Sequence, residues 1–349
     1  MTAFDWSLVQ REGLQRIHTT AVRFLEEVGV RIDHADMRAL LLDNGCWEQG
    51  EWICMPAGLV ANTVENIPAT FSLYGRSTAT SITVGLDDKM YFTNTGVMPN
   101  IRDLRTGEVR QSTLDDVRAS TRLLDAMAHV DAVYVSLVDA TELTPHMVTV
   151  TGFAAVLGNT TKPLVGPGVV NAAEAEAVVA MARAMRGGDG EELRQFPICV
   201  PFICPISPLT FPSDVVEALT VIAEAGLPLD VVSNPVMGLT SPYTMASSVA
   251  MGHAEVLAAA VMAQLVSPGL PLLNHNTPSV AEMHSMASTT GGPETGMMRG
   301  VVARLSRHLG FPAFAHGHTS SASLDFQAGE EKVRNLLLIA SGQPALLGG

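Results

Sequence analysis

At 349 residues, 47% hydrophobic and only 16% charged, the chain can bury a large core and is too apolar to be disordered. Its formal net charge of −14 argues against nucleic acid or an anionic membrane surface as a partner, because both would repel it. Cys46, Cys54, Cys199 and Cys204 have no C-x-x-C spacing and are too sparse for a disulfide framework, which fits a reducing cytoplasm.

The N-terminal MTAFDWSLVQREGLQ mixes acidic and basic residues ahead of any apolar run, unlike a secretory signal. Leu14, Ile17, Ala21, Leu25 and Val28 then recur at helical spacing, and a second helix over Ala35 to Asp43 stops near Asn44-Gly45. A strand around Trp52 to Cys54, a helix after Pro56, and strands near Phe71 to Tyr74 and Ser81 to Val84 complete an expected α+β cap over residues 1–89.

From residue 90 to 349 the pattern changes to short apolar or β-branched runs, each followed by a longer helical segment. The strand candidates are Met90–Asn94, Ala132–Ser136, Pro163–Pro167, Ile198–Cys204, Leu229–Asn234, Leu272–Asn276, Ala313–Gly317 and Ala345–Gly349. Helix starts are signalled at Thr113, Asn171 and Ser213-Asp214. Met245 to Val266 is long enough to span a bilayer, but it carries Ser247, Ser248, His253, Glu255 and Gln264, so a buried helix is the expectation. Parallel strands buried on both faces read as continuous apolar runs, and connections of this length suit right-handed crossovers. The fold class is therefore α/β, a (β/α)₈ barrel with an incomplete eighth repeat. No G-x-G-x-x-G follows the first strand, which disfavours a doubly wound dinucleotide fold. The last strand runs to Gly349, so the flank beyond it is expected to be covered by missing polypeptide or by a partner subunit; the apolar composition also fits a homo-oligomer.

In such a barrel reactive groups sit at the C-terminal strand ends. Those ends present Asn94 and Thr95, Ser136 and Asp139, Gly166 and Gly168, Cys204 and Ser207, Ser233 and Asn234, His275 and Asn276, then His316 and His318. This lining is polar but poor in charge, which suits orienting a polar organic molecule better than gripping phosphate. His316-x-His318 with His275 has a spacing compatible with metal ligation, yet Asp139 is the one obvious carboxylate to join it, and hydrogen bonding within the mouth is the competing role. Glu294 in TTGGPETG either caps a helix or faces the mouth as an acid or cation holder. Glu255 is read as a structural acceptor for a neighbouring loop. Asp325 suits a helix start, and the preceding GHTSSASL suits a lid or a substrate contact. Tyr243 is a plausible aromatic wall for a cationic head group.

Several segments together resemble the trimethylamine methyltransferase family: NIRDLRTGEVRQSTLDDVRASTRLLDAM, the SPL at Ser207 to Leu209, GLTSPYTMASSVAMGHAEVLAAAVMAQLVSPGLP, GGPETGMMRGVVARLSRHLGFP and LDFQAGEEK. They extend from the first barrel strand to near the chain end. The resemblance implies a barrel enzyme that moves a methyl group from a methylated amine to the cob(I)alamin of a corrinoid partner protein, with no tightly bound cofactor or metal of its own. It also implies Glu294 as first candidate for holding the N-methyl cation, followed by Asp325 and Gln327. The catalytic candidates are thus Glu294 and His316. The substrate-binding candidates are Asn94, Asn234, Tyr243, His275, Asn276, His318, Asp325 and Gln327.

Two departures from the family qualify this. Its trimethylamine-specific members carry pyrrolysine in the loop before D-x-Q-A-G, whereas Ser320 to Ser323 here are ordinary residues. The substrate expected by resemblance is therefore a quaternary amine such as glycine betaine, whose permanent charge already makes the amine a leaving group. The family also continues beyond the eighth strand. Two readings from other classes are a metal-dependent barrel hydrolase using His275, His316 and His318, and a non-catalytic binder of betaine-like cations.

Overall fold

The structure, a computed structural model, describes residues 9–87, 89–96, 98–103, 105–135 and 140–349. Ser136 and Asp139 lie outside the described residues. Eight parallel strands form where apolar runs were expected: β1 Tyr91–Thr93, β2 Val133–Tyr134, β3 Leu164–Gly168, β4 Cys199–Ile203, β5 Leu229–Ser233, β6 Leu272–Asn276, β7 Phe314–His316 and β8 Leu346–Gly348. The intervening long helices are α1 Leu114–Ala126, α2 Pro145–Asn159, α3 Ala172–Ala184, α4 Ser213–Ala225, α5 Met245–Val266, α6 Pro293–Leu309 and α7 Phe326–Ala340.

Continuous ladders run β2-β3-β4-β5-β6 and β7-β8-β1. Isolated parallel bridges, Thr93 to Ala132 and Asn274 to Ala313, link the two sheets on either side. At the first of these the side chain of Asn94 takes over the ladder's work. Its Nδ2 donates to the carbonyl of Tyr134 at 3.0 Å, and its Oδ1 accepts from the Tyr134 N–H at 2.9 Å.

Strand alternation sorts side chains into two layers. Leu164, Cys199, Leu229, Val231 and Leu272 pack against the helices in the largest core cluster. Tyr91, Tyr134, Val165, Val200, Leu273, Phe314 and Leu346 form a second cluster on the other strand face. The Thr70–Tyr74 and Ser81–Gly85 hairpin closes the N-terminal end of that cluster, because Phe71, Leu73, Ile82 and Val84 pack into it.

The remaining cap elements have no core of their own. Leu25, Val30, Ile53 and Val60 join the helix-side cluster with the apolar side chains of α5. The first helix covers Arg11–Arg23 and passes into a π-helical turn, Phe24–Val28, where the sequence pattern reads as one helix. Gly29 ends it at φ +85, a position where a Cβ would stand 2.5 Å from the Ile53 carbonyl oxygen.

The local signals act as expected at Thr113, which forms a full capping box with Asp116, and at Asn171, which accepts from the Glu174 N–H. At Ser213 the helix starts as expected, with Pro212 at the cap position and Ser213 Oγ donating to Glu217. The 22-residue α5 is apolar enough to cross a membrane, but 89% of its most apolar window is buried inside the protein. Apolar residues run all round it, since helices and strands press on it from all sides. Beside β8 the surface is apolar: Phe92 on the helix-facing side of β1 is 46% exposed, and Val333 and Leu337 on α7 are exposed as well.

Candidate active site

Parity along β5, β6 and β7 decides which polar groups meet. In β6, Leu273 belongs to the inner cluster, so His275 shares its face, whereas Asn274 and Asn276 point toward the helices. Asn274 Nδ2 donates to Ser306 Oγ on α6 at 2.6 Å, and Asn276 Nδ2 donates to the Val249 carbonyl on α5 at 3.0 Å. The structure therefore places Asn276 in helix packing and Asn94 in strand linkage, each with its amide engaged by backbone.

The inner face carries a buried relay. His275 Nδ1 lies 2.8 Å from Asp230 Oδ2 on β5, with both side chains fully buried, and His275 Nε2 lies 2.8 Å from His316 Nδ1 on β7. The rings of His316 and His318 are 4.2 Å apart, and His318 Nε2 lies 2.9 Å from Thr95 Oγ1. From below, the buried Arg299 of α6 donates to the His316 carbonyl at 2.6 Å and stands 3.5 Å from His318 Nδ1. Phe314 packs on the His275 ring with centroids 4.2 Å apart.

Burial governs the electrostatics. It holds His316 well below the ordinary imidazole range, with His318, Arg299 and His275 adding to the effect. It lowers His318 to about 3, with Arg299 the next contributor, and brings Arg299 down to about 10. Asp230 is raised by the same desolvation, and His275 works against that rise. Both terminal histidines are thus neutral at neutral pH, and a cation approaching them meets lone pairs or N–H dipoles and no imidazolium.

Of the other sequence candidates, Asn234, Asp325 and Gln327 have partners outside this relay. Asn234 donates to Cys204 Sγ at 3.2 Å and accepts from Thr277 Oγ1. Burial pushes the Cys204 thiol up to about 11, so it stays protonated. Tyr243 is exposed, with its ring over Gly238. Glu294 is exposed in the first turn of α6. Its segment reaches the His316 loop, since the Gly291 N–H donates to Ser320 Oγ at 2.9 Å and Arg299 holds His316, so Glu294 and His316 stand at the same strand end.

Asp325 caps α7 by accepting from the Ala328 N–H, and it also accepts from Ser321 Oγ. Gln327 donates to Glu331 Oε1 at 2.8 Å. Glu331 in turn gathers Thr319 Oγ1 at 2.6 Å and the Ser320 N–H at 2.7 Å, ordering the loop after β7. Asp230, Arg299 and Glu331 are the residues that reading the strand ends missed. Asp230 had a signal: it is the one acid within the apolar run LDVVS.

A three-histidine metal centre does not fit this geometry. Both His275 nitrogens already face partners, and among the described residues no group of three or more His, Cys, Asp or Glu side chains is placed to hold a metal ion.

The family model described as trimethylamine methyltransferase matches residues 3–345. The chain belongs to the trimethylamine methyltransferase family. A trimethylamine methyltransferase of Desulfitobacterium hafniense is 32% identical over 323 residues, which is 92% of this chain and 64% of that protein. A glycine betaine methyltransferase of the same species is 25% identical, covering 95% of this chain and 69% of the relative. The chain thus spans about two thirds of the length of these relatives. Among solved structures, the monomethylamine methyltransferase of Methanosarcina barkeri overlays with a TM-score of 0.70 at 11% identity, covering 98% of this chain and 68% of that one, a likeness of fold.

Proposed function

We propose that this family member is a closed (β/α)₈-barrel enzyme that transfers a methyl group from a methylated amine, quaternary like glycine betaine, to the cob(I)alamin of a corrinoid partner protein. The observation carrying the reading is a neutral, buried histidine pair at the C-terminal strand ends of a member of this family, with exposed apolar side chains on the loops that follow the strands. Val170, Ile206, Leu239, Tyr243, Met283 and Leu324 are all exposed, and they come from the loops after β3, β4, β5, β6 and β7. Apolar side chains on these loops fit a protein that lands over the mouth. Bound there, the partner's corrinoid supplies cobalt(I) as the nucleophile.

This chain's own task is to hold an N-methyl cation with one methyl outward. Burial keeps His316 and His318 uncharged, so they do not repel the cation. Tyr243 offers an aromatic face and Glu294 a negative charge. Because a quaternary amine leaves as a neutral amine, no proton need be delivered for the bond to break. The four cysteines are free, in keeping with a reducing cytoplasm, and the exposed Phe326, Val333 and Leu337 on α7 favour a homo-oligomer.

The test is a panel of methylated amines incubated with free cob(I)alamin and the chain, followed by loss of the cob(I)alamin absorbance. Turnover with a quaternary amine is expected. Saturable binding of betaine with no loss of cob(I)alamin would instead make the protein a binder of such cations.

A further inference from the structure

The relay has a direction, and the direction is set at its buried end. With Asp230 Oδ2 as the accepting oxygen of its carboxyl group, the one proton between it and His275 Nδ1 at 2.8 Å sits on the nitrogen. Oδ2 then accepts, whether or not the partnerless Oδ1 carries a proton. With Nδ1 protonated, a neutral His275 keeps its lone pair on Nε2 and accepts from His316 Nδ1–H at 2.8 Å. His316, neutral in turn, is left with its lone pair on Nε2. The second branch is independent: Arg299 donates toward His318 Nδ1, so His318 carries its proton on Nε2 and gives it to Thr95 Oγ1. Two adjacent histidines are thus held in opposite tautomers.

We infer that Asp230 is a positioning residue that, through His275, fixes His316 as the Nδ1–H tautomer and leaves its Nε2 as a bare lone pair to meet the cationic methyl groups of the substrate. The inference rests on the proposed function for the identity of that substrate, but not for the tautomers. A lone pair attracts the positively polarised N-methyl groups of a quaternary amine, whereas the opposite tautomer would turn an N–H dipole against them. Nothing in β5's sequence position marks Asp230 for contact with substrate; it acts two residues removed, through His275 and His316.

The experiment is long-range ¹H–¹⁵N correlation spectroscopy on the full chain labelled with ¹⁵N-histidine, without and with glycine betaine. In the wild type, His316 Nε2 should resonate as an unprotonated nitrogen and Nδ1 as a protonated one. Asp230→Asn keeps the shape and offers an amide N–H to His275, as in other Asp–His pairs where this change installs the wrong tautomer. It should move the proton of His316 to Nε2 and weaken betaine binding about tenfold, while the thermal unfolding midpoint of the betaine-free protein reports separately on the fold. A wild-type His316 protonated on Nε2, or a His275 protonated on both nitrogens, overturns the inference, as does an Asp230→Asn protein whose His316 tautomer is unchanged. Tautomers as expected in a protein that transfers no methyl group would uphold the relay and sink the proposed function alone.

Discussion

Glu255 on α5 accepts a hydrogen bond from the backbone N–H of Leu209 at 2.8 Å, tying the central helix to the loop after β4. The same carboxylate accepts from Ser207 Oγ at 2.8 Å and Ser233 Oγ at 2.5 Å. Burial raises its pKa and these three donors oppose the rise. Glu255→Ala strands two buried donors and the half-buried Ser207 hydroxyl, and a loss of about 3 kcal/mol is expected in urea unfolding. A variant as stable as the wild type would show that water replaces the carboxylate.

Asn94 links two sheets with one amide. Asn94→Ala leaves the buried N–H and C=O of Tyr134 unpaired at a point with a single backbone bridge, so a cost of about 2–3 kcal/mol is expected. Hydrogen exchange at the Tyr134 amide is the direct check. That amide should lose protection before those of β5 and β6, whose ladder has five paired positions.

Acid should destabilise this protein through its histidines. His253, His316 and His318 are buried neutral, with folded pKa values below the ordinary 6.5 and His318 at about 3. Their contribution is present above pH 6.5. It is lost as pH falls below that value, because the unfolded chain then binds protons that the native state refuses. Each contributes roughly 1 kcal/mol per pH unit in that window. Asp230 and Glu255, raised by burial, act with the opposite sign, favouring the native state less as pH rises above their unfolded values. Three histidines outweigh two acids below pH 6.5, so the urea midpoint should be lower at pH 5.5 than at pH 7. A midpoint that rises on acidification contradicts this.

Glu294 and Asp325 separate cleanly by substitution. Glu294→Gln at an exposed first turn should change stability by under about 0.5 kcal/mol, yet raise KM for a cationic amine about tenfold if its charge holds the substrate. Asp325→Ala removes the cap of α7 and costs about 1 kcal/mol, whereas Asp325→Asn keeps it. Steady-state kinetics beside thermal melts distinguish the two, and an unchanged KM in Glu294→Gln removes that residue from the site.

Residue order alone determined the elements. Apolar runs of five to seven residues separated by helical spacing appear as eight parallel strands and their helices, because burial of both strand faces leaves a continuous hydrophobic signature that needs no distant partner to be read. Glu255 was legible for the same reason: an acid inside an apolar helix must find donors. The site was legible only in its histidines. Whether Asn276 or its neighbour His275 faces inward turns on strand parity, and a one-residue difference moves a side chain to the opposite face. Asp230 reaches His275 from 45 positions away, a pairing that local sequence cannot encode and that exists because β5 and β6 lie side by side.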